Sequence, residues 1–301
     1  MTILLVLLAL WLYAGRAVLL GLLFINGALQ EKSWNLALTT STGLLITPIL
    51  LSIASIWSAA YILSLLLLVC VDIFLLYLLI RRRSQSKRDS YLFLSGLLIF
   101  TLIVFSLSWL NGPYVEHLSD AWWHMKNVSW LERGQTLIIP NGQFGSNPLK
   151  GVSSFFGLDY SSYRLQALFS WLAKCSTFDS WFASSVAVSS LLAISVFLLA
   201  YYLRLDWTAL CLSLLFWLLL LGGMNTGLRL SAWPAGMGYV FLNLGLIACF
   251  QLYCDSKSGK AWRLLAICTL GTLFFHIAEL FLLTVAVSSS IVLRLLFVKS
   301  S

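Results

Sequence analysis

The sequence predicts an all-α, polytopic transmembrane helical bundle, and two observations carry this prediction. Hydrophobic residues make up 60% of the 301 residues and charged residues only 10%, whereas a soluble domain carries roughly 25% charged residues. Apolar segments also recur at a length of about 20 residues, which is enough to cross roughly 30 Å of hydrocarbon as a helix. The composition therefore excludes an ordinary soluble protein.

About eight segments meet this criterion. The first lacks a basic leading region and a small-residue cleavage site, so it is expected to be a retained helix rather than a signal peptide. Arg16 inside it is expected to extend toward one membrane interface, and Asp72 in the third is an intramembrane acid with no visible partner. The predicted spans are 1–24, 36–56, 58–80, 91–110, 180–203, 207–222, 233–253 and 262–284.

Basic residues orient these spans. The run Arg81–Arg88 flanks two spans and belongs on the cytoplasmic side by the positive-inside rule, which places loops 111–179 and 222–232 outside. The net charge of +8 is thus explained by topology, with the bilayer as partner and no nucleic acid. The run also separates an N-terminal transmembrane unit, 1–90, from a second unit, 91–301.

Two other kinds of site are not indicated. The six cysteines show no CxxC spacing, so neither a zinc ribbon nor a disulfide framework is expected. The glycine-rich stretch "GGMNTG" at 222–227 continues with Leu-Arg and not Gly-Lys-Ser, so no phosphate-binding loop and no nucleotide cofactor are expected.

The outer loop 111–179 is predicted to hold two amphipathic juxtamembrane helices. The first runs from Val115 to Arg133 and ends at Gly134, a common helix stop. Its tryptophans predict that it lies along the outer interface. The second covers Tyr163–Lys174, with apolar residues at Leu165, Leu168, Phe169 and Leu172.

Glu116, Asp120 and His124 stand at i, i+4 and i+8 on the first loop helix, so they share one face. Two carboxylates and an imidazole so arranged suit a divalent cation such as Mg²⁺ or Mn²⁺, held by Asp120 and His124, or a general base. The alternative is a solvated face on an interfacial helix. Three of the 11 acids and two of the three histidines fall on this helix, which favours a site.

Other side chains are candidates for substrate binding. Trp122 and Trp123 suit stacking on sugar rings, although an aromatic belt at the membrane interface is the alternative. Arg229 in the loop 222–232 suits a phosphate, with solvation as the alternative. Arg164 and Lys174 add positive charge on the same side.

His276 and Glu279 lie three residues apart in the last predicted span, in "FFHIAELF". A pair at i and i+3 shares a helix face, and ionisable groups inside a membrane are costly unless they face each other or a cavity. The pair is therefore a predicted substrate-binding site. A buried structural hydrogen bond, or a position close to an interface, is the alternative.

The arrangement resembles the C-type (GT-C) membrane glycosyltransferases. The resemblance rests on "SDAWWHMKNVSWLERG" (Ser119–Gly134), which is similar to the family's first-loop acidic motif. Two weaker matches are "YRLQALFSWLA" (Tyr163–Ala173), similar to a second juxtamembrane helix, and the Pro-opened span "WPAGMGYVFLNL" (Trp233–Leu244). It covers roughly 91–284. Loop 222–232 lacks the second acid that is usual in the family.

The resemblance implies that Asp120 is the catalytic first-loop acid, with Glu116 beside it, and that a polyprenyl-phosphate-linked sugar is transferred to a glycan, lipid or protein acceptor at the outer face. It favours the bacterial inner (plasma) membrane and inverting chemistry, in which a carboxylate activates the acceptor hydroxyl. The alternatives are a transporter or lipid flippase, which would show broken helices or repeats, and a non-catalytic scaffold subunit.

Overall fold

The computed structural model describes residues 2–24, 29–57, 59–81, 98, 99, 102, 106, 119–134, 161–203 and 234–297. Within helices, the side chains of 2, 29–33, 119–123 and 234 are outside the description. The described residues form helices and no strand. The helices are α1 (Thr2–Phe24), α2 (Leu29–Ala54), α3 (Ala60–Arg81), α4 (Ser119–Gly134), α5 (Ser161–Ala173), α6 (Thr177–Tyr202), α7 (Pro234–Cys254), α8 (Gly259–Phe275) and α9 (Ile277–Phe297).

Six of these helices, α1, α2, α3, α6, α7 and α9, are long and apolar enough to cross a membrane. The chain is therefore an integral, multi-pass membrane protein built as a helical bundle. The predicted spans 1–24, 36–56, 58–80, 180–203 and 233–253 coincide with five of the six. Span 207–222 lies outside the described residues, as does all but four residues of span 91–110.

The predicted span 262–284 is wrong, because the helix breaks at His276. The backbone of His276 is extended, at φ −162° and ψ 118°, and its N–H closes α8 on the carbonyl of Thr272. Phe275 stacks on Phe241 of α7 near the end of α8, whereas Cys268 lies by Gly245, so α8 runs opposite to α7. A continuous helix through His276 is thus excluded.

The helix after the break, α9, runs back in the direction of α7. Glu279 lies against Gly238, Leu283 lies against Gly245, and Arg294 near the end of α9 donates to the last carbonyls of α7. The helices α7 and α9 are therefore parallel. The segment read as one span is in fact two antiparallel helices that meet at His276.

The two ends of the bundle differ in charge. The end where α3, α6 and α7 begin is here called the outer end, because α4 packs there against Tyr61 and Thr177. At the opposite, inner end, basic side chains lie at the end of α3, between α7 and α8, in the first turns of α8 and in the last turn of α9. The positive-inside rule predicts this end to be cytoplasmic. These side chains are Arg81, Lys257, Lys260, Arg263 and Arg294.

One hydrophobic core joins helices from both sides of residue 90, including α1, α2, α6, α7 and α8. The α1–α2 contact is especially close, since a Cβ added to Gly43 would lie 2.3 Å from the Cα of Ala17. The division into units 1–90 and 91–301 stays a sequence prediction. Exposed apolar side chains on α3 and α9, such as Ile73 and Phe281, face outward from this core as lipid-facing residues would.

The helix α5 departs from the amphipathic prediction. Every residue from 161 to 170 is buried, including the polar Arg164 and Gln166. Its sequence suggested one wet face, but α1, α2, α4 and α6 surround it, so its polar residues face other helices. The predicted second juxtamembrane helix is therefore an interior helix over most of its length.

Candidate functional site

The outer-end site is built on α4, which two long-range hydrogen bonds attach to the bundle. The hydroxyl of Tyr61 on α3 donates to the carbonyl of Leu131 over 3.0 Å, and the hydroxyl of Thr177 donates to the Glu132 carboxylate over 3.1 Å. Val128 and Leu131 of α4 are fully buried, while Lys126 of the same helix is exposed. These contacts fix which face of α4 meets the bundle.

His124 lies on the face that meets the bundle. Its Nδ1 is hydrogen-bonded to the hydroxyl of Tyr163 on α5, and its ring centroid lies 5.5 Å from that of Tyr163 and 6.3 Å from that of Trp181 on α6. Val128, one turn later on the same face, is fully buried. The alternative of a solvated face is therefore wrong for the part of this face whose side chains the structure describes.

The other predicted residues of this site are only partly located. Asp120, Trp122 and Trp123 belong to α4, with Asp120 one turn before His124, but their side chains lie outside the described residues. Glu116 and Arg229 lie outside them entirely. Their catalytic and substrate-binding roles stay predictions.

A metal held by Asp120 and His124 also stays a prediction. No group of three His, Cys, Asp or Glu side chains comes together among the described residues. Tyr163 engages Nδ1 of His124, and the side chain of its predicted partner Asp120 lies outside the described residues.

A buried cation lies next to Tyr163 along α5. Arg164 is 0% exposed, and its Nη1 donates to the hydroxyl of Ser52 over 3.1 Å, while that hydroxyl donates to the carbonyl of Pro48 over 2.8 Å. Burial lowers the pKa of the Arg164 guanidinium to about 10. It therefore remains a cation at neutral pH and brings positive charge to the outer half of the bundle.

His276 and Glu279 form a second cluster, at the junction of α8 and α9. Nδ1 of His276 lies 2.5 Å from Oε2 of Glu279, and their side chains are 34% and 3% exposed. The carboxylate lies against Gly238 of α7, where an added Cβ would come within 2.6 Å of Oε2. The prediction that the two residues share a helix face is wrong, because they flank a helix break. Their hydrogen bond matches the structural alternative, and their role in substrate binding stays a prediction.

This cluster lies deeper in the bundle than His124. Asn243 and Gln251 of α7 bond to Ser195 and Tyr202 of α6, so α6 and α7 run in the same direction. The offset in residue number between these bonded partners places Gly238 level with residues 189 and 190, near the middle of α6. From there α6 continues outward for roughly 18 Å at about 1.5 Å per residue.

A third polar cluster was not anticipated from the sequence. Arg16, expected to reach an interface, is 0% exposed, and its Nη1 lies 3.5 Å from Oδ2 of Asp72. The indole N–H of Trp11 donates to the same oxygen over 2.7 Å. Both expectations about these charges are wrong because α1 and α3 pack side by side. The sequence did contain a signal for this pair, because each of two predicted spans carries one charge of opposite sign near its middle.

Comparison of the chain with protein-family models, curated proteins and solved structures gives no match. The resemblance to C-type glycosyltransferases therefore rests on the motifs of the sequence alone, and function is argued below from the site.

Proposed function

We propose that the protein is a membrane glycosyltransferase that moves a sugar from a polyprenyl-phosphate donor to an acceptor hydroxyl at the outer end of the bundle, in a bacterial inner membrane. The observation that carries the proposal is the position of His124. The helix with the acidic motif turns this partly buried histidine toward the bundle, against Tyr163 and Trp181.

The charges around α4 agree with this chemistry. Polyprenyl phosphates are anions with apolar tails, and the outer half of the bundle combines a buried cation, Arg164, with apolar helices. Arg164 is Ser52-bound and buried, so it contributes long-range positive charge and is not itself assigned to the phosphate. Asp120, one turn before His124, is the residue proposed to take the proton of the acceptor hydroxyl.

The reaction is written as a single displacement. The acceptor oxygen forms a bond to the anomeric carbon, and its proton passes to Asp120. The bond between that carbon and the phosphate oxygen breaks, and its electron pair leaves with the polyprenyl phosphate. The configuration at the anomeric carbon is inverted, because the acceptor oxygen attacks from the face opposite the departing phosphate oxygen. No step requires a nucleotide.

The test is transfer of a labelled sugar from polyprenyl-phosphate donors by detergent-solubilised protein, with Asp120→Asn as the variant. General-base loss predicts a fall of about 100-fold or more. Asp255→Asn is the matched control, because Asp255 is an exposed acid in the turn between α7 and α8 at the inner end, and it should transfer sugar like the wild type. Full activity of the Asp120 variant would refute the catalytic role of α4, and a chelator arm tests the predicted metal.

A transporter is the second candidate, favoured by the reversal of the chain at His276. Ionisable residues such as His276 and Glu279 within membrane segments mark ion and proton pathways in many transporters. The two functions separate by compartment: transport needs sealed vesicles, whereas sugar transfer persists in detergent. Uptake of a labelled lipid or sugar by proteoliposomes, without transfer in detergent, would decide for the transporter.

A further inference from the structure

Exposed cations gather at the inner end of the bundle, in the turn from α7 to α8 and in the first turns of α8. Lys257, Lys260 and Arg263 are exposed, and none of them makes an ion pair among the described residues. Together they are here called the α8 basic surface. Their charges are presented to the surroundings and not to another helix.

The acid of this turn does not neutralise the α8 basic surface. The Asp255 carboxylate accepts the backbone N–H of Lys257 over 3.0 Å and forms no ion pair with the described side chains. The other acid in residues 234–297 is Glu279, which bonds to His276 at the opposite end of α8. The surface therefore carries a net positive charge.

A fourth cation is fixed beside this surface by α9. Nη1 of Arg294 donates to the carbonyl of Tyr253 over 2.6 Å and to that of Cys254, the last two residues of α7. Because Asp255 follows directly, the guanidinium lies next to the turn. Nε and Nη2 of Arg294 form no hydrogen bond with the described residues, so these two nitrogens can donate to an anion.

A tryptophan lies where the α8 basic surface meets the apolar part of α8. The indole N–H of Trp262 donates to the carbonyl of Ser256 over 3.1 Å, and the residue is 45% exposed. An indole with one polar edge and an apolar ring is typical of the boundary between lipid headgroups and acyl chains. The hydrogen bond fixes the ring beside the cations.

An exposed apolar stripe continues from these residues along α8. Ala266 and Leu270 are exposed and stand three and seven residues after Arg263, so they share its face of the helix. Leu270 lies roughly 10 Å along the helix from Arg263. Because α8 packs antiparallel to the membrane helix α7, the stripe lies at the depth of the acyl chains. The opposite face is buried, at Ala261, Leu264, Leu265 and Cys268.

We propose that the α8 basic surface binds the headgroup of an anionic phospholipid of the inner-end leaflet, with an acyl chain lying against Trp262, Ala266 and Leu270. The ligand class is a diacyl phosphodiester with net negative charge. Lysine and arginine near a membrane surface attract such lipids, and the guanidinium group matches phosphate oxygens in geometry. This inference does not depend on the proposed glycosyl transfer, which concerns the opposite end of the bundle.

The shared face of cations and apolar stripe favours a lipid over a soluble partner. The positive-inside rule accounts for cations at this end of the bundle, but it does not place them on the same face as exposed apolar side chains. A soluble phosphate or an acidic protein would contact the cations alone. A phospholipid contacts the cations with its headgroup and the stripe with its acyl chain, so it satisfies both parts of the surface.

Binding to the purified full chain in detergent tests the headgroup. Phosphatidylglycerol and phosphatidylcholine with the same acyl chains are compared by native mass spectrometry, and the wild type should bind phosphatidylglycerol more tightly. The double variant Lys260→Gln with Arg263→Gln should weaken phosphatidylglycerol binding by about 25-fold, since each charge contributes about five-fold, and should leave phosphatidylcholine binding unchanged. Equal affinity of the wild type for the two lipids would overturn the proposal and favour an acidic soluble partner.

The matched control removes the same charge from the outer end. Lys126 and Arg133 are exposed on α4, and the double variant Lys126→Gln with Arg133→Gln should bind phosphatidylglycerol like the wild type. Equal losses in the two double variants would show attraction to the net charge of the protein and overturn the site. All four side chains are exposed, so the thermal unfolding of both variants in the same detergent should match the wild type.

Photolabelling in vesicles tests where the lipid lies. Phosphatidylglycerol with a diazirine on its acyl chain should label residues 262–270, as read by peptide mass spectrometry, and the Lys260→Gln, Arg263→Gln variant should lose this label. Glycerol phosphate at the same concentration should not compete. Labelling elsewhere, or equal labelling by phosphatidylcholine, would overturn the site. Full competition by glycerol phosphate would overturn the lipid as its ligand.

Discussion

Two pairs of ionisable side chains lie inside the described part of the bundle, and they differ in what surrounds them. Arg16 and Asp72, 3.5 Å apart between α1 and α3, have side chains that are 0% and 10% exposed. His276 and Glu279, 2.5 Å apart between α8 and α9, are 34% and 3% exposed. One pair is closed off from any ligand, and the other presents one member at a break in the helix.

The hydrogen bonds around each pair show the same contrast. Trp11 donates to Asp72, and Arg16 also donates to the backbone carbonyls of Trp11 and Leu12. Both charged groups thus bond to neighbours in the core, while Oδ1 of Asp72 and Nε of Arg16 have no partner among the described residues. The His276 pair instead separates two regular helices. The sealed ion pair connects two helices, whereas the second pair presents a one-third exposed imidazole beside a buried carboxylate at a helix break.

A neighbouring glycine supports each pair, again in different ways. A Cβ on Gly43 would meet the backbone of Ala17 and Arg16, but a Cβ on Gly238 would meet the end of the Glu279 side chain. Backbone atoms of a packed helix cannot move aside, and a carboxylate can rotate. Substitution at the two glycines should therefore affect stability in one case and protonation in the other.

The largest expected effect is loss of the sealed pair. Asp72→Ala leaves the Arg16 guanidinium buried without its counter-charge, which should destabilise the protein by about 3–5 kcal/mol. Thermal unfolding of the detergent-solubilised protein measures it. His276→Gln, in the half-exposed pair, should lower stability much less, and a larger loss for it than for Asp72→Ala would reverse the comparison.

The double variant Arg16→Met with Asp72→Leu controls for that prediction. Removing both charges together removes the uncompensated cation, so most of the lost stability should return. If the double variant were as unstable as Asp72→Ala, packing volume rather than charge would explain the loss.

The next effect compares the two glycines. Gly43→Ala should destabilise the protein by about 1–3 kcal/mol, because the α1–α2 crossing has no room for a methyl group. Gly238→Ala should destabilise it less while changing the rate at which diethyl pyrocarbonate labels His276. Gly259→Ala is the control for both, since nothing lies near it. Equal losses at Gly43 and Gly238 would show that Glu279 is held as rigidly as a helix backbone.

The helical bundle could be predicted from the sequence because its evidence is local. Five predicted spans match helices, since about 20 apolar residues determine a membrane helix on their own. The break at His276 could not be predicted from the sequence, because the neighbouring residues are mostly apolar. No proline lies nearby, and the nearest glycine is Gly271, five residues earlier. The contacts on either side of the break, of Glu279 with Gly238 and of Phe275 with Phe241, involve another helix and are not visible in the local sequence.

The polar sites show the same limit. Spacing predicted that His276 and Glu279 share a face of one helix, whereas the structure brings them together across a helix break. It gave no indication that Arg16 pairs with Asp72 or that Tyr163 bonds to His124, because these partners are distant along the chain. The burial of Arg164 was missed for a related reason: a short helix with alternating polar residues suggests an interface when its neighbours are unknown.

The smallest expected effect concerns the hydrogen bond between His124 and Tyr163, which, unlike the two pairs above, involves no carboxylate. Tyr163→Phe keeps the ring packing and removes only the hydroxyl, so it should destabilise the protein by about 1 kcal/mol. It should also raise the rate at which diethyl pyrocarbonate labels His124, because Nδ1 loses the Tyr163 hydroxyl, without changing the labelling rate of His276.

Tyr77→Phe is the control, since Tyr77 is 55% exposed on α3. Because α4 is also held by Tyr61 and Thr177, it should stay docked in Tyr163→Phe. A loss approaching that of Asp72→Ala would instead mean that this hydrogen bond, and not the buried apolar face of α4, attaches the acidic motif to the bundle.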